Sequence, residues 1–196
     1  MSGHSGDHAD PAVTFESAKL GVWTFLATEV LLFGALFTAY TVFRMKYPEL
    51  SRVEHAKLDR VLGAVNTVVL ITSSLMVVFG VDAIKRGKAR LFEACFGATI
   101  LLAGVFLCVK VAEYAAKFHH GIYPGTNLFF SIYFMMTGLH GIHVLLGMGV
   151  LAYVILLSRR GRLSASYYTP AEMSGLYWHF VDLVWIYLFP LLYLIG

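Results

Sequence analysis

Five stretches of this chain run nearly uncharged for about the length that crosses a bilayer, and they decide what it can fold into: residues 20–43, 61–81, 94–109, 128–157 and 173–195. A helix rises about 1.5 Å per residue and the hydrocarbon layer is about 30 Å thick, so roughly 20 apolar residues span it. The third block is short, but it reaches Ala112 if Lys110 lays its carbon stem along the apolar layer and lifts its ammonium to the headgroups. In hydrocarbon every backbone N–H and C=O must be satisfied within the segment or in a closed barrel. Barrel strands alternate polar and apolar residues, and these blocks do not. The expected fold is all-α: a polytopic membrane protein, a bundle of five transmembrane helices at about 19–43, 61–83, 92–115, 127–157 and 172–195.

Composition narrows the function classes. Of 196 residues, 58% are hydrophobic and 14% charged, against about 25% charged in soluble domains. A water-soluble enzyme is excluded, and the short loops leave no room for a separate catalytic domain. The net charge of +3 reflects basic residues flanking spans and gives no reason to expect nucleic acid. Residues 1–16 (MSGHSGDHADPAVTFE) lack the basic start and short apolar core of a signal peptide, so they read as a polar, disordered tail ahead of a membrane domain at 17–196. His4 and His8, set among Gly, Ser and Asp, read as part of that tail and not as a metal site. Cys95 and Cys108 share one block and cannot meet on a rigid helix, which leaves two thiols expected to be buried as small hydrophobes.

Five spans put the termini on opposite sides. Lys19, Lys85, Arg86, Lys88, Arg90, Arg159, Arg160 and Arg162 lie on the N-terminal side, and Arg44, Lys46, Arg52, Lys57, Arg60, Lys110 and Lys117 on the other. Eight against seven is nearly balanced under the positive-inside rule, with the compact loops favouring a cytoplasmic N-terminus. Tyr47, Tyr123, Tyr167, Tyr168 and Tyr177 fall near block ends, where aromatic belts form, and Tyr114 and Trp178 are also expected at the interface.

Ionisable groups at membrane depth are costly and each needs a reason. They are Glu29, Glu113, His140, His143, His179 and Asp182. Glu29 lies near mid-membrane, where a carboxyl must be neutral or meet a donor or a cation; it can tie two helices together or pass a proton. His140 and His143, in Thr-Gly-Leu-His-Gly-Ile-His, stand on one helix face, with Gly138, Gly141 and Gly147 positioned to let a neighbour approach. A His pair of this kind can ligate metal or haem, but it supplies neither a full ligand set nor a metal-specific spacing. His179 and Asp182 repeat the spacing, so the carboxylate can hold the imidazole, and Gly175, His179, Asp182 and Ile186 form a stripe facing into the bundle. Pro190 deprives the Ile186 carbonyl of its donor and should kink the last helix. Lys110 and Glu113 are placed for an interfacial ion pair. Nucleophile triads, phosphate-binding glycine loops and cysteine clusters do not occur in the sequence.

Four segments carry a family resemblance: Lys-Leu-Gly-Val-Trp-Thr-Phe-Leu-Ala-Thr-Glu-Val-Leu-Leu-Phe-Gly (19–34), Val-Ala-Glu-Tyr (111–114), Thr-Gly-Leu-His-Gly-Ile-His-Val (137–144) and Tyr-Trp-His-Phe-Val-Asp-Leu-Val-Trp (177–185). In this order they resemble cytochrome c oxidase subunit III, in its five-span bacterial form, also found in quinol oxidases and in a subunit associated with nitric oxide reductase. The resemblance implies an accessory subunit of a proton-pumping haem–copper oxidase in aerobic respiration. It implies no haem or copper in this chain, catalytic subunit I and the other oxidase subunits as partners, bound phospholipid, and support of proton uptake. It also implies a multi-pass place in the bacterial cytoplasmic membrane with the N-terminus in the cytoplasm and the C-terminus in the periplasm. Glu29 matches the family's carbodiimide-reactive glutamate, while His140, His143, His179 and Asp182 match motif positions of an internal polar network. Two other classes compete: a stand-alone haem b cytochrome using His140 or His143 with His179, and a proton-coupled transporter using Glu29 and Asp182, which would be expected to show inverted repeats.

Overall fold

The structure, a computed structural model, describes residues 11–55 and 58–195. Its elements are α1 (Pro11–Lys46), α2 (Pro48–His55), α3 (Arg60–Lys85), α4 (Ala89–His119), α5 (Leu128–Arg159) and α6 (Thr169–Phe189), followed by one wide π-type turn at Pro190–Leu194. No strand occurs among the described residues, and five helices are long and apolar enough to span a membrane. His4 and His8 lie outside the described residues, and α1 starts at Pro11, inside the stretch expected to be tail.

Each boundary has a local cause. The Asp59 side chain accepts from the Val61 and Leu62 N–H groups at 2.9 and 3.1 Å, and Asn127 accepts from Phe130 at 2.9 Å, which starts α3 and α5. Gly87, Gly121 and Gly161 follow α3, α4 and α5 with φ of 67 to 72°, a conformation that favours glycine. At Pro190 α6 gives way to the wide turn, in which the Ile195 N–H reaches the Pro190 carbonyl at 3.0 Å. The short α2, which the hydropathy pattern did not mark, packs against α1 and α5 and buries Ser51 and His55.

Lipid tails offer no hydrophobic drive for helices to associate, so close packing and interhelical hydrogen bonds do the work. Helices α3 and α4 form the most extensive pair, with Gly80 on α3 lying directly under the Phe96 ring. Gly147 on α5 fits against Trp178 on α6, and Gly63 on α3 against Phe189 and Tyr193. Gly138 and Gly141 have nothing within 4 Å of a Cβ position, so of the three glycines in the α5 motif only Gly147 serves close approach. Cys95 is buried as expected, but Cys108 lies on the outside of the bundle, because its place on α4 is turned away from α3 and α5. Helix α1 is the most loosely held: 11% of its most apolar stretch is buried, against 44% for the last span.

Candidate functional site

The polar side chains at membrane depth gather in three places. The first joins α1 to α5, where a Glu29 carboxylate oxygen lies 3.0 Å from His143 Nε2. The other ring nitrogen, Nδ1, lies 2.8 Å from the Leu139 carbonyl, which can only accept, so Nδ1 carries a proton. Nε2 then faces Glu29 either as acceptor from a neutral acid or as donor to a carboxylate. Both forms hold one proton between the two groups. Phe33 packs edge-on against the imidazole at 5.2 Å, and the Tyr177 hydroxyl donates to the His143 carbonyl at 3.2 Å, which fixes α6 against the same turn.

The second place lies between α4, α5 and the C-terminal turn. Glu113 is 4% exposed and accepts from Lys110 at 2.9 Å, Lys117 at 2.8 Å, Tyr133 at 2.8 Å and Tyr193 at 2.9 Å. Lys110 also donates to the Tyr193 hydroxyl at 2.6 Å, and its ammonium lies 4.8 Å from the Trp185 ring centroid. The expected snorkelling lysine and interfacial ion pair are therefore corrected: Lys110 is 7% exposed and turns inward, because a carboxylate, two phenols and an indole face meet it there. Lys117, Tyr133 and Tyr193 were missed. The spacing of Lys110, Glu113 and Lys117, three and four residues apart on one helix face, was the available signal for Lys117. The two tyrosines, 20 and 80 residues from Glu113, had none.

The third place is the seam between α3 and α6. His179 Nδ1 meets the Ser74 hydroxyl, the Trp178 indole N–H donates to Ser73 Oγ at 3.0 Å, and the Trp185 N–H donates to Thr67 Oγ1 at 3.1 Å. The expected hold of Asp182 on His179 is replaced by Ser74, which takes the imidazole and lies beside the Asp182 carboxyl as well. Asp182 is buried, while Ile186 is 42% exposed, so the inward stripe ends before it. Trp178, expected at the interface, is 1% exposed: Gly147 opens room for its ring and Ser73 takes its N–H. Tyr114 is half-buried and pairs with the Thr137 hydroxyl on α5.

His140 and His143 do not act together. Three residues turn a helix by about 300°, so the two rings differ by about 60° in direction. Here that sends His143 to α1 and His140, 1% exposed, between Phe106 on α4 and Trp185 on α6.

These clusters draw residues from all four sequence motifs, and comparison with known proteins agrees with them. The profile of the cytochrome c oxidase subunit III family matches residues 1–196. The cytochrome c oxidase subunit 3 of Thermostichus vulcanus is 36% identical over 193 residues, covering 98% of this chain and 91% of the relative. That of Corynebacterium diphtheriae is 38% identical over 184 residues, covering 90% and 87%. The quinol oxidase subunit 3 of Bacillus spizizenii is 32% identical over 202 aligned residues, covering 98% and 96%. The chain, with its five apolar helices and its Glu29 and His143 facing each other across α1 and α5, belongs to the cytochrome c oxidase subunit III family.

Proposed function

We propose that this chain is the accessory, non-redox subunit of a haem–copper terminal oxidase, that it packs against the catalytic subunit, and that its intramembrane polar residues hold its helices in order. The observation that carries this reading is how those residues use their polar atoms. Both nitrogens of His143 are taken by Glu29 and Leu139, the Nδ1 of His179 by Ser74, and Glu113 by four donors from α4, α5 and the C-terminal turn. Haem and copper belong, in this reading, to the partner subunits. Relatives named for cytochrome c oxidases and for quinol oxidases align over nearly the same length, so the electron donor is set by those partners.

The loosely held α1 is where a neighbour fits. Its outer face presents Leu20, Trp23, Val30, Leu31 and Val42, all more than 40% exposed, for lipid and the catalytic subunit to cover. An apolar groove of about 450 Å³ between α1, α5 and α6, lined by Val22, Phe25, Leu146, Val150 and Tyr153, suits a phospholipid acyl chain. Orientation gains support too. Lys110 and Lys117 are buried among their partners and do not act as loop charges, which reduces the seven basic residues on their side to five, against eight beside the N-terminus. A cytoplasmic N-terminus and an opposite C-terminus follow from the positive-inside rule.

Purification in mild detergent, with partner identification and an optical spectrum, tests the reading. The chain is expected to co-purify with a large haem-bearing membrane subunit and to be colourless when separated from it. A Soret band belonging to this chain alone, or a preparation with no haem-bearing partner, overturns it.

A further inference from the structure

Two interior side chains take no part in the ties described above. Asn66 and His140 are each 1% exposed, and neither the amide oxygen and nitrogen of Asn66 nor the two ring nitrogens of His140 meets a protein partner. The contacts that register the helices place both in one layer. The Phe106 ring lies 5.6 Å from His140 and 4.9 Å from Trp185, and the His140 and Trp185 rings are 5.4 Å apart. Trp185 donates to Thr67, the neighbour of Asn66 on α3. The antiparallel pairing of α3 with α4 leads to the same depth: Thr99 meets the Ser73 carbonyl, so two turns further along each helix residue 66 comes level with residue 106.

Buried polar groups without a protein partner are met by ordered water, which needs two to four polar neighbours. The Asn66 amide offers one donor group and one acceptor, and so does a neutral imidazole. A cation is disfavoured here, because the Lys110 ammonium lies over the same Trp185 ring at 4.8 Å. Water carries no charge and satisfies both groups. We propose that this layer is an internal hydration site, in which fixed water bridges the Asn66 amide to the His140 imidazole and so ties α3 to α5, two helices that meet mainly through α4 and α6. The site concerns this chain alone and stands or falls apart from the oxidase reading.

Solid-state NMR on the full chain in lipid bilayers, with 15N in the histidine rings, reads the site directly through magnetisation transfer from water. The His140 signal is identified by its loss in His140→Gln. Transfer to His140 is expected to build up about as fast as at the exposed His120, and at least threefold more slowly in Asn66→Leu. Slow transfer in the unaltered chain overturns the site, and unchanged transfer in Asn66→Leu overturns the bridge. Should Asn66→Leu fail to fold, Asn66→Leu with His140→Phe replaces the whole polar layer by an apolar one. That double variant is expected to fold where Asn66→Leu alone does not, because no polar group is then left without a partner in the layer, and a double variant that fails to fold as the single one does overturns the proposal.

Discussion

The Lys110, Glu113 and Lys117 cluster sets two cations against one anion in the interior, and that imbalance dictates an unequal response to mutation. Glu113→Gln removes the anion while keeping the shape. It leaves two buried ammonium groups facing each other and turns an amide N–H toward one of them. Removing one partner of a buried ion pair costs about 3–5 kcal/mol, and here the Tyr133 and Tyr193 hydroxyls lose their charged acceptor too. Lys110→Met does the opposite. It leaves Glu113 paired with Lys117 at 2.8 Å, balances the charge, and gives up the bond to Tyr193 and the contact with Trp185, for about 1–2 kcal/mol. Unfolding by SDS titration from mixed micelles, followed by the fluorescence of the buried Trp178 and Trp185, measures both. At about 1.4 kcal/mol per decade, Glu113→Gln should lower the folded to unfolded ratio by roughly two to three and a half decades, and Lys110→Met by roughly 0.7 to 1.4. A Lys110→Met variant as damaged as Glu113→Gln would refute the charge-imbalance argument.

Other outcomes follow from single contacts. Glu29→Ala should shorten the functional lifetime of the oxidase during turnover, or the retention of this chain, more than it lowers the initial rate of oxygen reduction; an immediate loss of initial rate with normal assembly would argue for an obligatory proton path here. Gly147→Ala places a Cβ 2.9 Å from the Trp178 ring and should destabilise by about 1–3 kcal/mol, whereas Gly138→Ala meets open space and should be neutral or gain about 0.5–1 kcal/mol, as thermal retention in detergent would show. Burial first, then the charges of Arg60 and Arg44, pushes His55 below its ordinary 6.5, against a backbone bond to Tyr193 that raises it. A folded state that binds the proton less well loses stability as pH falls below about 6.5. Proteolysis at Arg52 should therefore quicken between pH 7.5 and 5.5, and His55→Gln should flatten that dependence.

The five spans were legible because membrane helices carry their signal in composition alone, whatever their neighbours. Their ends were less so: α1 runs from Pro11 and α4 to His119, since a helix continues past the hydrocarbon wherever caps allow. The eight-residue α2 was hidden because Pro-Glu-Leu-Ser-Arg-Val-Glu-His is polar, and only its packing on α1 and α5 shows why Ser51 and His55 are buried. Within the candidate site, residues on one helix were readable by spacing and partners across helices were not. Glu29 was marked as needing a partner, but nothing in the sequence named His143, 114 residues away. His140 and His143 looked equivalent by spacing, and 60° of helix rotation gives them different neighbours.

Where lipid is the solvent, the order of helices rests on which polar groups find each other, and the three clusters divide that task. Ser73, Ser74 and Thr67 fasten α3 to α6 through Trp178, His179 and Trp185. Glu113 fastens α4 to α5 and to the C-terminal turn through Tyr133 and Tyr193. Both clusters connect helices that already pack closely. Helix α1 is different: with so little of its surface buried, its hydrogen bond to the other spans at mid-membrane is Glu29 to His143. Loss of that bond should release α1 before the remaining helices lose their order, so Glu29→Ala should raise labelling of Cys substitutions on the inner face of α1, such as Leu26→Cys and Phe33→Cys, while a Cys at Ala103 in α4 stays protected. Equal rises at all three positions would mean that the pair stabilises the whole bundle and is not the particular fastening of α1.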